Sequence, residues 1–241
     1  KLIVLLGLAL LAGPLNAQVT FNRLLHADQE PQNWLTYGGT YANDRYSLLT
    51  QINRKNVGNL QLKWVWRPTS TPADEKMECT PIVVNGVLYA TSLTSVVALD
   101  AVTGRKYWEF TRSFNPNDYP GQRMYMVNKG VAIEGDTVFW TTGWDDHLLA
   151  LDARTGRLEW EVKVDEWNQG YQLNMPPLVV KNELIVGPAT DDMGANCFIA
   201  AFDIHTGKLI WKTYTSPNSA DDPASKTWAG DTWKQGGAPV W

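Results

Sequence analysis

Ala98-Leu-Asp-Ala-Val-Thr-Gly-Arg-Lys-Tyr-Trp108 is the first of three copies of one pattern in this chain. The segments 150–160 and 201–211 repeat the pattern A-x-D-x-x-T-G-x-x-x-W, and successive aspartates are separated by 52 and 51 residues. Self-similarity at a nearly constant period of this length is the sequence signature of a repeat architecture. The three copies therefore predict three structurally equivalent units.

Each copy is typical of a β-hairpin. An apolar run ends at the aspartate, whose carboxylate can accept hydrogen bonds from backbone amides, and the glycine can take the positive-φ corner of the turn. Upstream of the copies lie further strand-like runs at 81–90, 131–140 and 177–186, the first with the hairpin dipeptide Asn85-Gly86. Four short strands per unit of about 51 residues predict a blade of a β-propeller, with the closing tryptophan packed between neighbouring blades.

Trp64 matches the end of a degenerate earlier unit, so the pattern predicts three full units and one partial one. Stretches with helical periodicity are scarce, and the fold class is therefore predicted to be all-β, a partial β-propeller occupying residues 18–241. The repeat-closing positions also account for part of the tryptophan excess, since 12 of the 241 residues are Trp.

Composition and charge restrict the function. Hydrophobic residues make up 44% of the chain and charged residues 19%, which is enough for a packed core. The net charge of -4 argues against nucleic acid as a partner. His26, His147 and His205 are too scattered for a zinc site of the usual type. Cys79 and Cys197 are interpreted as two small buried residues, although an oxidising compartment would permit a bridge between them.

The first 17 residues resemble a secretory signal peptide. Lys1 precedes about eleven apolar residues, and a small residue, Ala17, stands before Gln18. The run is too short for an ordinary transmembrane helix, and no later stretch is apolar enough to span a membrane. We therefore expect an N-terminally clipped signal peptide at 1–17 and a mature chain exported to the periplasm; a buried N-terminal helix or an uncleaved anchor is the alternative.

The segments between the repeats resemble those of the eight-bladed quinoprotein dehydrogenases, the methanol and ethanol dehydrogenases that use pyrroloquinoline quinone (PQQ). The resemblance implies that the chain holds about four of eight blades. The longest of the matching segments, W-x-G-D-x-W-K-x-G-G-x-x-x-W, is the most specific, because no rule of blade packing demands it. The matching segments are Trp34–Gly39, Arg45–Asn53, Glu78–Pro81, Asn128–Ala132 and Lys226–Trp241.

The resemblance also implies a set of site residues. PQQ is a flat ring system with three carboxylates, for which an indole face, cations and hydrogen-bond donors are suitable partners. A Ca²⁺ or lanthanide ion with oxygen ligands would accompany it. The implied cofactor contacts are Glu78, Lys129, Asn174, Thr190, Asp191 and Trp241, and the implied metal ligand is Asp192. A surface carboxylate at Glu78, blade packing by Trp241 and a solvated loop at Asp192 are the alternatives.

Four departures from the family pattern stand beside these matches. Lys129 replaces an arginine and keeps its charge without the planar fork. Asn174 stands where a threonine is usual, and Asp192 is one methylene shorter than the family's glutamate. Arg123-Met124 replaces an adjacent cysteine pair. In addition, the family's second metal ligand and its catalytic aspartate correspond to positions beyond Trp241, so no catalytic residue is expected within these 241 residues.

The resemblance implies the N-terminal part of an exported PQQ-dependent dehydrogenase. The whole enzyme would oxidise an alcohol and pass electrons to a c-type cytochrome or a quinone, whereas this part alone would be inactive. Two alternatives remain open. The same repeat occurs in a non-enzymatic scaffold propeller of the outer-membrane protein assembly machinery, and a PQQ sugar dehydrogenase would also be compatible with the missing cysteine pair.

Overall fold

Three four-stranded antiparallel sheets, one for each copy of the repeat, form the fold in a computed structural model of the chain, which describes residues 19–68, 77–119, 126–189 and 194–240. In each sheet the strands pair in chain order. Blade 1 consists of β1 (Ile82–Val84), β2 (Val87–Thr91), β3 (Ser95–Asp100) and β4 (Lys106–Thr111). Blade 2 consists of β5 (Ala132–Glu134), β6 (Thr137–Thr141), β7 (His147–Asp152) and β8 (Leu158–Lys163). Blade 3 consists of β9 (Leu178–Val180), β10 (Glu183–Val186), β11 (Phe198–Asp203) and β12 (Leu209–Tyr214).

The repeated aspartate closes the turn between the third and fourth strands of each blade. Asp100 Oδ1 accepts hydrogen bonds from the backbone N–H groups of Val102 (3.0 Å) and Thr103 (2.7 Å) and from the Thr103 hydroxyl (2.9 Å). These bonds favour the charged carboxylate and lower the pKa of Asp100 to about 2, with the Thr103 amide contributing most. Asp152 and Asp203 make the same bonds in blades 2 and 3, which confirms the predicted hairpins.

In blades 1 and 2 the tryptophan that ends the unit packs on the turn of the following blade. Trp108 Nε1 on β4 donates to the backbone carbonyl of Ala153 in blade 2 over 2.9 Å. The ring lies against Gly156, where an added Cβ would meet the indole at 2.5 Å. The glycine is therefore required twice, for its φ of +71° and for the close approach of the ring. This arrangement confirms that the tryptophans pack between neighbouring blades.

The same contact precedes and follows this pair. The ring of Trp64 lies on Gly104 of blade 1, although residues 60–68 form no strand, and the ring of Trp160 lies on Gly207 of blade 3. Trp211, on β12, is the last tryptophan of the series and is 40% exposed. Within the described residues 19–68, the partial unit predicted from Trp64 thus contributes its docking residue but no strand of a blade.

The N-terminal segment crosses all three blades. Val19 pairs with Gly135 of blade 2, Trp34 pairs with Val83 on β1, and the Tyr41 hydroxyl donates to the carbonyl of Val179 on β9. Between these points lie the short helix α1 (Phe21–Leu25) and a 3-10 turn (Ala27–Gln29). Further 3-10 turns are Val57–Asn59, Pro116–Asp118, Trp167–Gln169, Pro223–Thr227 and Thr232–Gln235.

The core is built from residues of all three blades. Among the largest side chains in it are Tyr89, Phe139, Trp140, Trp144 and Phe198, each at most 1% exposed. Neither cysteine forms a disulfide: Cys197 in blade 3 is buried, and Cys79 before β1 is half-buried. Within the described ranges, no helix is long and apolar enough to cross a membrane. The predicted signal peptide at 1–17 lies outside those ranges.

Candidate functional site

Three of the predicted site residues lie side by side just before the first strands of the three blades. Glu78 precedes β1, Lys129 precedes β5 and Asn174 precedes β9. The backbone links them, because the N–H of Lys129 donates to the carbonyl of Asn174 over 3.0 Å and the N–H of Thr80 donates to the carbonyl of Lys129 over 2.9 Å. Glu78, Lys129 and Asn174 are called the lead-in row below. Equivalent positions in successive blades thus meet at one end of the inner strands.

An ion pair joins the first two members of the row. The Lys129 Nζ lies 3.5 Å from a carboxylate oxygen of Glu78. The Lys129 side chain is 15% exposed, whereas that of Glu78 is 50% exposed and remains accessible to solvent. A positive charge that is largely withdrawn from water attracts an anionic ligand more strongly than a surface lysine does. The row therefore presents one partly buried cation, Lys129, and one solvent-accessible carboxylate, Glu78.

Local sequence explains how Lys129 is held. The side chain of Asn128 is buried, accepts a hydrogen bond from the Gly130 N–H over 3.1 Å and donates to the carbonyl of Thr141 over 2.7 Å. Gly130 has a φ of +138°, and an added Cβ would lie 2.9 Å from the carbonyl oxygen of Thr80. The sequence indicated only that the Asn-Lys-Gly segment matches the family pattern. In the structure its outer residues fix the backbone of the lysine between them.

Asn174 occupies a more enclosed position. It is 4% exposed, and its Oδ1 has no hydrogen-bond partner among the described residues. An added Cβ at Gly143 would lie 2.8 Å from this oxygen, so the loop between β6 and β7 packs directly against the amide. The Thr141 hydroxyl donates to the carbonyl of Met175 over 2.6 Å on the same side. The β6–β7 loop, residues 142–146, therefore supports the lead-in row from behind.

The β6–β7 loop also carries a group of charges that the sequence did not reveal. Arg112, just after β4, binds Asp145 over 2.7 Å and Glu161 over 2.8 Å and so joins blade 1 to blade 2. Burial acts to raise the pKa of the Asp145 carboxyl, but hydrogen bonds from His147, Thr142 and Arg112 outweigh it and lower the pKa. Arg112 and Asp145 are 33 residues apart in the sequence, and no motif connects the two.

A cavity of about 620 Å³ extends from Lys129 along the inner strands β5 and β9. Its walls are mainly apolar, and both the N-terminal segment and Val240 contribute to the lining. A concave apolar site with a few polar groups at one end is the usual form of a small-molecule site. Representative lining residues are Leu35, Tyr41, Lys129, Val131, Met175 and Leu178.

The remaining predicted site residues cannot be placed. Thr190, Asp191, the candidate metal ligand Asp192 and the candidate stacking residue Trp241 all lie outside the described residues, as does the pair Arg123-Met124. In the ranges that the structure does cover, no three or more His, Cys, Asp or Glu side chains form a group able to hold a metal ion. The lead-in row thus contains the three predicted residues that the structure brings together.

Comparison with known families gives one match over most of the chain. Residues 34–241 match the model of the PQQ glucose/ethanol/alcohol dehydrogenase β-propeller domain. The match begins at Trp34, where the N-terminal segment pairs with β1, and includes all three blades.

Individual proteins are similar over nearly the whole chain. The dehydrogenase subunit of an alcohol dehydrogenase (quinone) from Gluconacetobacter polyoxogenes is 37% identical over 92% of this chain and 32% of its own length. A lanthanide-dependent methanol dehydrogenase from Methylacidiphilum fumariolicum is 32% identical over 96% of this chain and 41% of its own length. The solved structure of the quinohemoprotein alcohol dehydrogenase ADHIIG from Pseudomonas putida HK5 superposes with a TM-score of 0.81 at 34% identity, covering 93% of this chain and 34% of that one. The chain thus spans about a third of the length of such relatives.

Proposed function

The chain belongs to the PQQ glucose/ethanol/alcohol dehydrogenase β-propeller family, and on that basis we propose that it provides part of the cofactor site of a PQQ-dependent dehydrogenase that oxidises an alcohol. The observation that carries the proposal is the lead-in row. Lys129, paired with Glu78 at 3.5 Å, lies at one end of an apolar cavity, beside the enclosed Asn174. Three separate blades supply these residues, so the site depends on the assembled propeller.

The residues present fit a flat ligand with several carboxylates. The Lys129 ammonium can neutralise one carboxylate, and its low exposure strengthens that interaction. The apolar walls of the cavity suit the ring system. Thr190, Asp191 and Trp241 would add polar contacts and a stacking surface, as the family resemblance implies. When bound, PQQ supplies the two-electron acceptor for oxidation of the alcohol.

Glu78 has a second role in this proposal. Its carboxylate is half-exposed and lies 3.5 Å from Lys129, so it restrains the ammonium near the site. A lysine head group on a flexible stem loses more freedom on binding than an arginine fork, and a neighbouring carboxylate reduces that cost. Lys129 with Glu78 would thus replace the arginine of the family pattern.

The finer assignments are also proposals. Asp192 would bind a Ca²⁺ or lanthanide ion, with a shorter side chain than the family's glutamate. We assign no catalytic base within residues 1–241. We propose that the protein is exported to the periplasm, that its substrate is a small alcohol, and that a c-type cytochrome or a quinone accepts the electrons.

Titration of the 241-residue chain with PQQ tests the proposal directly. In the presence of CaCl₂ or a lanthanide chloride, we expect saturable quenching of tryptophan fluorescence, confirmed by equilibrium dialysis. Lys129→Ala should weaken binding by about ten-fold or more, and Lys129→Arg should retain it, because a charge-assisted hydrogen bond contributes about 1.5–3 kcal/mol.

Lys106 offers a matched control for this experiment. It forms a surface ion pair with Glu109 at 2.6 Å, and it lies on β4, away from the lead-in row. Lys106→Ala should leave the PQQ affinity unchanged. Absence of saturable binding in every form would instead support the scaffold propeller as the function of this fold.

A further inference from the structure

Asp146, in the β6–β7 loop, combines two unfavourable features. The residue is 0% exposed, so its carboxyl is removed from water. Its φ is 56°, in the left-handed region that few residues other than glycine adopt. Burial of a carboxyl and backbone strain each cost free energy, and such costs persist where the surrounding structure or a function requires them.

The backbone and side chain of Asp146 connect three segments. Its Oδ1 accepts the N–H of Leu173 over 3.2 Å, in the segment that leads into β9. Its carbonyl oxygen accepts the N–H of Val164 over 2.8 Å, just after β8. Its Oδ2 has no hydrogen-bond partner in the described part of the chain. The residue thus joins the end of blade 2 to the beginning of blade 3.

The connection continues into the lead-in row. Leu173 is followed by Asn174, whose carbonyl accepts the N–H of Lys129 over 3.0 Å. The carbonyl of Lys129 accepts in turn the N–H of Thr80, two residues after Glu78. A continuous path of hydrogen bonds and peptide links therefore runs from the buried carboxyl to all three members of the row.

The surroundings of the Asp146 carboxyl favour its protonated form. Burial is the main cause that raises its pKa well above the ordinary value, and the carboxylates of Asp145 and Asp165 raise it further. The hydrogen bond from Leu173 and the charge of Lys163 act in the opposite direction but do not outweigh them. The neutral acid can still accept the Leu173 N–H through Oδ1.

The other charged side chains on the neighbouring elements form ion pairs with one another. Arg112 binds Asp145 over 2.7 Å, and Lys212 on β12 forms an ion pair with Asp165. Lys163, at the end of β8, binds Glu166 over 2.6 Å. Among the described residues none of these charged side chains forms an ion pair with Asp146, so the Asp146 carboxyl is held by its hydrogen bond.

We propose that Asp146 is a positioning residue of the candidate cofactor site: its buried side chain anchors the backbone at Leu173 and thereby fixes Asn174 and Lys129. The identity of the ligand rests on the function proposed above, whereas the anchor itself does not. The two can therefore be tested separately.

Hydrogen exchange of individual backbone amides, measured by NMR on the 241-residue chain without ligand, tests the anchor. Asp146→Ala should accelerate exchange at Leu173 and Lys129 by about ten-fold or more, because the local opening of the segment is no longer opposed. Asp146→Asn should keep both rates within about two-fold, because its amide oxygen can accept the Leu173 N–H as the carboxyl oxygen does. Asp146→Ala should also weaken the binding of PQQ, and Asp146→Asn should retain it.

Asp203→Ala is the matched control. Asp203 also accepts backbone N–H groups, from His205 and Thr206, but in a turn of blade 3 that does not touch the row. It should leave exchange at Leu173 and Lys129 unchanged. Equal rates in Asp146→Ala and Asp203→Ala would overturn the anchor. If no form binds PQQ, the proposed function fails while the exchange rates still decide the anchor.

A pH series covers the case in which Asp146→Ala does not fold. Above about pH 4 an unfolded aspartate has released its proton while the folded Asp146 retains it, so the folded state loses stability as pH rises. This term changes the unfolding equilibrium by about ten-fold per pH unit until the folded-state pKa is passed. Asp146→Asn should remove that slope. Identical pH slopes in the wild type and Asp146→Asn would contradict the proposal.

Discussion

The indole ring of Trp108 lies so close to Gly156 of the next blade that an added Cβ would meet it at 2.5 Å. The two residues are 48 positions apart in the sequence. The same close approach occurs between Trp64 and Gly104. Each glycine of the repeat thus serves both the turn of its own blade and the tryptophan of the preceding one.

Gly156→Ala should lower the free energy of unfolding by about 2–4 kcal/mol, since it adds a steric clash to the cost of a left-handed φ. Gly86→Ala is the control, because Gly86 has a φ of +82° but open space around it. That change should cost only about 1–2 kcal/mol. Urea denaturation of the two variants measures the difference, and equal losses would show that the close approach of the ring contributes nothing.

Trp160→Ala should destabilise the chain by about 3–5 kcal/mol, because the ring packs on Gly207 of blade 3. Trp211→Ala removes the same side chain from the corresponding place on β12, where it is 40% exposed. Its expected cost is below about 1 kcal/mol. Thermal and urea unfolding provide the measurement. A larger loss for Trp211 than for Trp160 would contradict the docking arrangement.

Acid should weaken the repeat turns. The pKa of Asp100 is about 2 in the folded chain, because Thr103 and Tyr107 donate to its carboxylate. A lowered pKa stabilises the fold above the ordinary pKa of aspartate, near 4, and that stabilisation is lost as pH falls toward 2. Asp100→Asn should therefore reduce the dependence of Tm on pH between about 4 and 2. An unchanged pH profile in this variant would show that the turn carboxylate does not contribute.

The edge strand β12 should promote self-association. Leu209, Ile210 and Trp211 are 48%, 49% and 40% exposed on one strand, and a contiguous apolar edge is an aggregation hazard. Trp211→Lys should shift the chain toward the monomer in light scattering. Val102→Lys is the control, since Val102 is 79% exposed and lies in a turn of blade 1, away from β12. A wild-type chain that is already monomeric at high concentration would refute the expectation.

The sequence predicted most strongly what the repeat encodes locally. The hydrogen bonds of Asp100 and the packing of Trp108 between neighbouring blades were predicted from the repeat, and the structure confirms them. The grouping of Glu78 with Lys129 was implied by the family resemblance, and the structure places these two residues 3.5 Å apart.

Contacts between residues outside the repeat could not be predicted. Asp146 reaches Leu173, and Arg112 reaches Asp145, only because blade packing brings distant segments together. Nothing in the spacing of these residues indicates the contact, since the position of each depends on the strand lengths of two blades. The same holds for the N-terminal segment, whose Tyr41 bonds to β9 across 138 positions.

The junction between blades has a direction, because one blade presents an indole and the next presents a glycine turn. The two surfaces differ, so the contact is heterologous and each repeat of about 51 residues carries one half of the junction before it and one half of the junction after it. Duplication or deletion of a whole repeat would therefore preserve each tryptophan–glycine contact without any compensating substitution. Such a module permits the number of blades to change during evolution while the joining chemistry stays constant.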